Sequence, residues 1–211
     1  MEKIRLSVVI PAYITSKKGV IDLSNLLVKI DHQRNRKTAE LFVIDDHSKI
    51  KIERPSVVTG AITYYYKKVN EGVAAARNIG IKFSKGDYIV FLDADDDIPD
   101  DFIAILEDRI REEDRTGNKN DIIQFKAKHE DGNIAFPEPC AWGKLIKRSW
   151  IGDDRFDEDQ LIGEEDTLFH KEGKTAIIAH DNRIIYHHRQ SANPDSLMKR
   201  FWRGEVPRRR L

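Results

Sequence analysis

Short apolar runs alternate with helix-like segments along the first hundred residues of the chain. Runs rich in apolar and aromatic residues, each of strand length, occupy residues 6–10, 41–44, 61–66 and 88–92. Between them, apolar residues recur every three or four positions over residues 20–30, and small residues dominate residues 73–83. This spacing predicts two helices. The resulting order of strand, helix, two strands, helix and strand is typical of an α/β domain with a mainly parallel sheet.

The second half of the chain is less regular. Its pattern predicts a strand over residues 121–127, a turn at 131–133, a short helix over 163–171, and two strands within 175–187 separated by Asp181 and Asn182. No stretch has the composition of a linker. We therefore expect a single domain over residues 1–198, followed by a basic tail over 199–211.

Polar or turn residues follow three of the predicted strands. Pro11 ends the first strand, Asp45 and Asp46 end the second, and four carboxylates lie within residues 93–97. Ligands of such sheets bind at the carboxyl ends of the strands, so we expect these side chains to lie at one edge. Clustered carboxylates repel one another unless a cation is present, and their oxygens suit Mg²⁺ or Mn²⁺ together with phosphate oxygens. The pattern predicts a metal–nucleotide site.

Composition narrows the class of protein. Hydrophobic residues make up 40% and charged residues 34%, and no apolar run approaches the roughly 20 residues of a membrane span. The apolar run at the N-terminus is too short for a signal peptide, and the one cysteine, Cys140, excludes an internal disulfide framework. We therefore expect a cytoplasmic protein. The net charge of zero gives no reason to expect a nucleic-acid partner.

Several absent motifs argue against other enzyme classes. The chain contains neither a Gly-x-x-x-x-Gly-Lys phosphate loop nor a Gly-x-Gly-x-x-Gly dinucleotide turn, and it has no Gly-x-Ser-x-Gly elbow and no Cys/His metal spacing. ATPase, dehydrogenase, serine-hydrolase and zinc-site interpretations lose their main support.

A series of strings, taken in order and spacing, resembles glycosyltransferase family 2, whose members have the GT-A fold. The strings are SVVIPAY at 7–13, VIDDHS at 43–48, NEGVAAARNIG at 70–80 and DAD at 93–95, with weaker matches WGKL at 142–145 and GEED at 163–166. The resemblance implies a single Rossmann-like nucleotide-binding domain with a mainly parallel central sheet flanked by helices. It also implies transfer of a sugar from a nucleotide-diphosphate donor.

The resemblance makes about residues 1–100 a donor half and about residues 101–198 an acceptor half, and it assigns donor-site roles to ten positions. It implies that Asp46, with Asp45, contacts the base, that Asp93 lies near the ribose and the metal, and that Asp95 binds the metal. A carboxylate that accepts a hydrogen bond from a ring N–H favours uracil, thymine or guanine, and we expect a UDP-sugar above the others. One of His187 and His188 is a further candidate metal ligand, and we take His187. The remaining nucleotide-site positions are Pro11, Tyr13, Asn70, Gly72 and Arg77.

The acidic positions also have plainer interpretations. Residues 93–97 can form a solvated acidic turn in which Asp96 or Asp97 caps a helix that begins at Ile98 and Pro99. In an extended segment, by contrast, Asp93 and Asp95 would point the same way and converge on one ion. Asp45 and Asp46 can simply cap a turn with Ser48.

The resemblance also places the catalytic base and the acceptor wall in the second half. Asp166 aligns with the aspartate that serves as general base, with Glu165 as the fallback because the extra Glu164 makes the register ambiguous. Carboxylates at a helix start are favoured electrostatically without any catalytic role. Trp142 and Lys144 are candidates for the acceptor wall, although Trp142 also suits core packing. The family often has Asn where this chain has Ile14, so this loop is expected to hold the nucleotide through its backbone.

We therefore predict an inverting, metal-dependent glycosyltransferase that uses Mn²⁺ or Mg²⁺ and transfers a hexosyl or related sugar to an acceptor hydroxyl. The acceptor is expected to be a glycan, a lipid-linked sugar or another hydroxyl compound in polysaccharide or glycoconjugate synthesis. Two alternatives stay open: a catalytically idle nucleotide-sugar binding module, and a metal-dependent phosphotransferase that uses its aspartates directly. The tail carries six basic residues with Phe201 and Trp202, and either contacts the inner membrane face or a polyanion, or is simply solvated.

Overall fold

A computed structural model describes residues 3–33, 38–137, 140–160, 168–189, 197–205 and 207 of the chain. The strands are β1 (Leu6–Ala12), β2 (Ala39–Asp45), β3 (Thr63–Tyr66), β4 (Tyr88–Phe91), β5 (Ile122–His129), β6 (Ile134–Ala135), β7 (Lys144–Lys147) and β8 (Ile178–His188). The helices are α1 (Lys17–Gln33), α2 (Gly72–Phe83), α3 (Phe102–Thr116), α4 (Arg148–Ile151) and α5 (Leu197–Trp202).

Within these described ranges, eight strands form one sheet whose order is β3-β2-β1-β4-β7-β5-β6, with β8 paired to β5. Strands β3, β2, β1 and β4 run parallel, β7 is antiparallel to β4 and β5, and β8 is parallel to β5. Because β8 pairs along the whole of β5, the strands β6 and β7 share the other edge of β5. The prediction of a mainly parallel α/β sheet is confirmed.

The central strands β1, β2 and β4 are buried on both faces of the sheet. Along β1, Val8 and Ile10 belong to the larger apolar cluster, which includes the apolar sides of α1 and α3, while Val9 belongs to a second cluster with α2 and α4. Two-sided burial explains why the strand sequences are continuous apolar runs rather than alternating patterns. The parallel pairing of β1 with β2 and with β4 places the carboxyl ends of these three strands at the same edge of the sheet.

Pro11 lies inside β1 rather than ending it. The Val9 carbonyl accepts a hydrogen bond from the Leu92 N–H, and the Ala12 carbonyl accepts one from the Asp46 N–H. Backbone groups alternate sides along a strand, so Pro11 faces the β4 side at a level beyond the end of β4. No ladder hydrogen bond is lost there, and the predicted strand end is therefore two residues too early.

Two other predicted boundaries are wrong. Helix α3 begins at Phe102, after an N-cap at Asp101, so neither Asp96 nor Asp97 caps it. Residues 178–188 form one strand instead of two, because β8 stays paired with β5 on both sides of Asn182 through an irregular register. Paired to a neighbour, the Asp-Asn step becomes a bulge instead of a turn.

No helix within the described ranges is long and apolar enough to cross a membrane.

Candidate functional site

The segment after β4 forms a tight turn at the carboxyl edge of the sheet. The N–H of Asp96 donates to the carbonyl of Asp93 at 3.3 Å, which closes a four-residue turn over positions 93–96. The expectation of an extended segment is therefore wrong. Asp93 and Asp95 nonetheless interact electrostatically across this turn. The chain reversal brings them together, and strand-like alternation does not.

Arg77 connects α2 to this turn. Its side chain is only 3% exposed, and its Nη2 lies 3.2 Å from Oδ1 of Asp93. The guanidinium carbon also lies 5.6 Å from the centre of the Phe156 ring, so an aromatic face supports the cation. A forked cation beside a carboxylate at a strand end suits phosphate recognition.

Asp95 has a carboxyl group whose pKa lies well above its ordinary value. Burial, followed by the charges of Asp93 and Asp96, raises the pKa of Asp95 to about 6, against weaker lowering contributions from a backbone N–H and His188. A carboxylate held among other carboxylates is stabilised by a nearby cation. The oxygens of Asp93 and Asp95 therefore fit a hard divalent ion.

Within the described residues, no three His, Cys, Asp or Glu side chains are grouped to hold a metal ion by themselves. An ion on Asp95 would thus depend on oxygen ligands from a bound phosphate. Mg²⁺-type ions are usually bound in this way, by one or two carboxylates and the phosphates of the substrate.

Asp96 has a role that the sequence did not indicate. It is 5% exposed, and its carboxylate accepts hydrogen bonds from Oη of Tyr186 at 2.6 Å and from the N–H of Arg189 at 2.7 Å. Burial, together with Asp96, raises the pKa of Tyr186 well above its ordinary value, so the phenol stays protonated and donates. These residues lie about 90 positions apart, and no local pattern reveals such a pairing.

The two histidines at the end of β8 occupy different environments. His187 exchanges two backbone hydrogen bonds with Asp97, at 2.8 and 3.1 Å, and burial lowers the pKa of its imidazole. His188 has its Nδ1 3.4 Å from Oδ2 of Asp96, and this hydrogen bond raises its pKa. The structure thus places His188, and not the predicted His187, beside the acidic turn. The His187 ring has its Nδ1 4.0 Å from Oδ2 of Asp97, and a metal role for His187 stays a prediction.

Asp46 is engaged at the start of α2. Its carboxylate, 3% exposed, accepts hydrogen bonds from Nζ of Lys67 at 2.5 Å, from the N–H of Glu71 at 2.9 Å and from the N–H of Gly72 at 2.7 Å. Asn70 donates through Nδ2 to the Asp46 carbonyl at 3.1 Å. Asp46 therefore fixes the entry into α2, and its contact with a base stays a prediction. Lys67 was missed because nothing in its local sequence sets it apart.

Gly72 and Asp45 have local structural reasons for their identity. Gly72 has φ of +87°, a backbone conformation that favours glycine. Oδ1 of Asp45 accepts from the Ser48 N–H at 2.8 Å, as expected of a turn-capping aspartate.

The loop after β1 holds the remaining donor-site candidates. Tyr13 follows the strand and is 41% exposed, whereas Pro11 is buried within it. The N–H of Ile14 donates to Oγ of Ser48 at 2.8 Å, and the Ile14 carbonyl accepts from the Ile50 N–H at 3.1 Å. The loop is thus fixed by the segment after β2, and Tyr13 presents its ring at the carboxyl edge.

The two predicted acceptor residues make internal contacts. Trp142, 6% exposed, stacks on Tyr186 and His188, with ring centres 4.4 and 5.2 Å apart. Lys144, 4% exposed, donates through Nζ to the carbonyls of Pro137 at 2.9 Å and Cys140 at 2.5 Å. An acceptor contact by either side chain stays a prediction.

The predicted general base lies outside the described residues. The structure does not describe Asp166, its fallback Glu165 or most of the predicted helix over 163–171. The three arginines at 208–210 also lie outside the described residues.

Comparison with known proteins places this geometry in context. The model of the family described as "Glycosyl transferase family 2" matches residues 7–139. An uncharacterized glycosyltransferase of Rickettsia conorii is 38% identical over 95 residues, which are 44% of this chain and 15% of that protein. The amylovoran biosynthesis glycosyltransferase AmsB of Erwinia amylovora is 27% identical over 200 residues, covering 89% of this chain and 62% of that protein.

Solved structures support the fold. The crystal structure of S. aureus TarS 1–349 superposes with a TM-score of 0.67 at 19% identity, covering 88% of this chain and 60% of that chain. TarS 1–349 in complex with UDP-GlcNAc gives a TM-score of 0.68 at 17% identity, covering 89% and 59%. The chain thus spans less than two thirds of each of these relatives. The architecture is the GT-A fold, and with more than half of its sequence matched by the family model the chain belongs to glycosyltransferase family 2.

Proposed function

We propose that this chain is an inverting, metal-dependent glycosyltransferase that moves a sugar from a nucleotide-diphosphate donor to an acceptor hydroxyl. One observation carries the proposal: the Arg77 guanidinium lies 3.2 Å from Asp93, in the same turn as Asp95, at the carboxyl edge of a parallel sheet. This arrangement offers a cation and carboxylates to a diphosphate where ligands of such sheets bind.

Each residue has a distinct task in this proposal. Arg77 stabilises the negative charge of the departing diphosphate, an electrostatic task that usually dominates such catalysis. Asp95 and Asp93 hold Mn²⁺ or Mg²⁺, which when bound neutralises diphosphate charge as a Lewis acid. Asp166, with Glu165 as the alternative, takes the proton from the acceptor hydroxyl. Attack from the face opposite the leaving group inverts the anomeric centre.

A UDP-sugar is the donor that we propose. The related TarS has been crystallised with UDP and with UDP-GlcNAc. Asp45 is the last residue of β2 and Asp46 follows it, at the same edge of the sheet, and a carboxylate accepts well from the N–H of a uracil ring. We place the base there and the diphosphate at the turn of residues 93–96.

The acceptor is proposed to be a glycan or a lipid-linked sugar in polysaccharide synthesis. AmsB, which this chain resembles over 89% of its length, is named for the biosynthesis of amylovoran. We propose a cytoplasmic site of action, with the basic tail over 199–211 in contact with the inner membrane face or with a polyanionic acceptor.

Calorimetric titration of UDP, GDP, TDP and ADP, with and without Mn²⁺, tests the donor site. We expect one diphosphate, UDP, to bind in a Mn²⁺-dependent manner, and Asp95→Asn to weaken that binding at least about tenfold, since losing a ligand costs metal affinity. Asp100→Asn is the matched control, because Asp100 lies in the same acidic segment with its side chain 93% exposed.

The outcomes separate the proposal from its rivals. Binding of no diphosphate would remove the nucleotide-sugar proposal altogether. UDP binding without transfer or donor hydrolysis would favour an idle binding module. A covalent acyl-phosphate on an aspartate would instead identify a phosphotransferase.

A further inference from the structure

A single hydroxyl group touches both ends of the acidic turn. Tyr186, fully buried on β8, donates through Oη to Oδ2 of Asp96 at 2.6 Å and accepts from the backbone N–H of Asp93 at 3.2 Å. Asp93 and Asp96 are the first and last residues of the turn, joined by their own backbone hydrogen bond. The phenol therefore links the two ends of the turn from the side that faces the protein interior.

The other contacts of Asp96 anchor the same turn to β8. Its Oδ1 accepts from the N–H of Arg189, the residue after β8, at 2.7 Å, and its Oδ2 lies 3.4 Å from Nδ1 of His188. The next residue, Asp97, pairs through its backbone with His187. The carboxylate of Asp96 is thus hydrogen-bonded at the end of β8, whereas that of Asp93, on the same turn, contacts Arg77. The two carboxylates thus have different roles: Asp96 fixes the turn to the protein, and Asp93 contacts the Arg77 cation.

The Tyr186 ring is itself held in place. Trp142 stacks on it with ring centres 4.4 Å apart and planes inclined by 10°. This packing leaves the hydroxyl little freedom, so its position relative to the turn is set by β8 and Trp142. Such a locked partner is what a site with tight geometric demands requires from its surroundings.

We propose that Tyr186 and Asp96 form a positioning pair that holds the turn of residues 93–96 in the shape with which Asp93 and Asp95 bind the metal–diphosphate of the donor. The inference rests on the proposed function, and it assigns the pair no contact with the substrate. Removing the hydroxyl breaks the link between the Asp93 N–H and Oδ2 of Asp96, and leaves this oxygen the longer hydrogen bond with Nδ1 of His188 at 3.4 Å. The turn then opens, and the two donor-side carboxylates lose their relative placement.

Tyr186→Phe tests the pair, since it deletes the hydroxyl and keeps the ring stacked on Trp142. Binding of Mn²⁺ is followed by the loss of the free-ion electron paramagnetic resonance signal in the presence of UDP, and UDP affinity is measured by calorimetry. We expect the dissociation constant for UDP with Mn²⁺ to rise at least about tenfold, because a small misplacement of liganding groups costs that much. Weak UDP binding without metal is expected to be unchanged.

Tyr88→Phe is the matched control. Tyr88 is a buried tyrosine of the same sheet, 3% exposed, but it lies at the amino end of β4, away from the turn. We expect it to leave Mn²⁺-dependent UDP binding within about twofold of wild type. Comparing melting temperatures of both variants separates a loss of stability, which either can show, from a loss of metal-dependent affinity.

A double-mutant cycle tests whether the two residues act together. Asp96→Asn alone is expected to weaken Mn²⁺-dependent UDP binding to a similar degree. The double variant is expected to bind no more weakly than the single variant that has the larger loss of affinity. If Tyr186→Phe does not fold, Asp96→Asn decides the question, since its amide oxygen still accepts from Arg189.

The outcomes are distinguishable. If wild type binds UDP with Mn²⁺ and a folded Tyr186→Phe or Asp96→Asn binds it equally well, the positioning inference is wrong and the proposed function stands. If wild type itself binds no nucleoside diphosphate, the proposed function fails and the inference fails with it. Fully additive effects of the two variants would show that Tyr186 and Asp96 do not act as a pair, and would also overturn the inference.

Discussion

The ammonium of Lys67 lies 2.5 Å from Oδ1 of Asp46, and the two side chains are 3% and 4% exposed. This ion pair joins the end of β2 to the segment that leads from β3 into α2. A buried charge that loses its partner is left uncompensated, which is strongly destabilising.

Lys67→Met is therefore expected to lower the free energy of unfolding by about 3 kcal/mol, near the lower end of the range for buried pairs. Asp46 still accepts hydrogen bonds from two backbone N–H groups in this variant, so we expect the loss of free energy to be near the lower end of that range. Urea denaturation gives the value. Lys68→Met, at the exposed neighbouring position, is expected to change it by less than about 0.5 kcal/mol. Equal losses in the two variants would contradict a special role for the pair.

Gly80 lies where α2 approaches β1 most closely. A Cβ added to it would lie 2.2 Å from Cγ1 of Val9. Gly80→Ala is expected to destabilise the protein by at least about 1 kcal/mol, because the strain of overpacking outweighs the gain of about 1 kcal/mol in helix propensity.

Gly19→Ala serves as the control for that helix effect. Its Cβ would meet Ile14 at 3.3 Å, a contact that a small shift relieves, so we expect stability to be unchanged or higher. Adding Val9→Ala to Gly80→Ala should restore part of the loss, whereas strictly additive losses would show that the clash is not the cause.

Asn78 joins α2 to the loop at residues 152–160. Its Nδ2 donates to the carbonyl of Phe156 at 2.9 Å, and its Oδ1 accepts from the N–H of Phe156 at 3.0 Å. Asn78→Ala leaves both backbone groups without this partner, at a cost of about 1–3 kcal/mol for each group that stays buried. We expect the amide of Phe156 to exchange its hydrogen faster, as measured by mass spectrometry.

The same variant is expected to affect the site, because Phe156 supports the guanidinium of Arg77. Asn133→Ala, in an exposed turn, should leave the exchange at Phe156 as it is in wild type. Unchanged exchange in Asn78→Ala would show that other contacts hold the loop.

Asp154 makes one part of the stability depend on pH. Hydrogen bonds from Lys171 and then Lys174, the latter at 2.5 Å, lower the pKa of Asp154 to about 2. A folded-state pKa below the unfolded value means that the contribution is present above about pH 4 and is lost as the pH falls through 2. Asp154→Asn is therefore expected to lower Tm at pH 6 and to do so progressively less toward pH 3.

The pair is partly exposed, so we expect a small effect that salt weakens. Differential scanning calorimetry at several pH values and at two salt concentrations measures it. Asp153→Asn, an exposed neighbour, should lower Tm less at pH 6. A Tm difference that grew on acidification would contradict the sign of the pKa shift.

Local sequence patterns predicted the parallel half of the sheet and the edge at which its carboxylates gather. Continuous apolar runs such as residues 6–10 and 88–92 require burial on both faces, and connections between parallel strands bring their carboxyl ends to one side. The carboxylates after β2 and β4 are therefore predictable neighbours. The resemblance then supplied the family, the expected donor class and the candidate roles.

Patterns failed where pairing between distant strands overrides local preference. Asp181 and Asn182 suggest a turn, yet β5 keeps residues 178–188 in one bulged strand. Pro11 suggests a strand end, yet it faces a side where β4 has already finished. Both outcomes depend on a neighbour that the local sequence does not contain.

The carboxylates at the edge, and the fold that carries them, follow from the order of residues alone. The tertiary structure decided the partner of each carboxylate: Asp93 contacts Arg77, whereas Asp96 accepts from Tyr186 and Asp46 from Lys67. It also decided that His188 rather than His187 lies beside the turn. Burial periodicity depends on neighbours along the chain, but the partner of a buried charge is set by strands far apart in sequence that meet only when the sheet is complete.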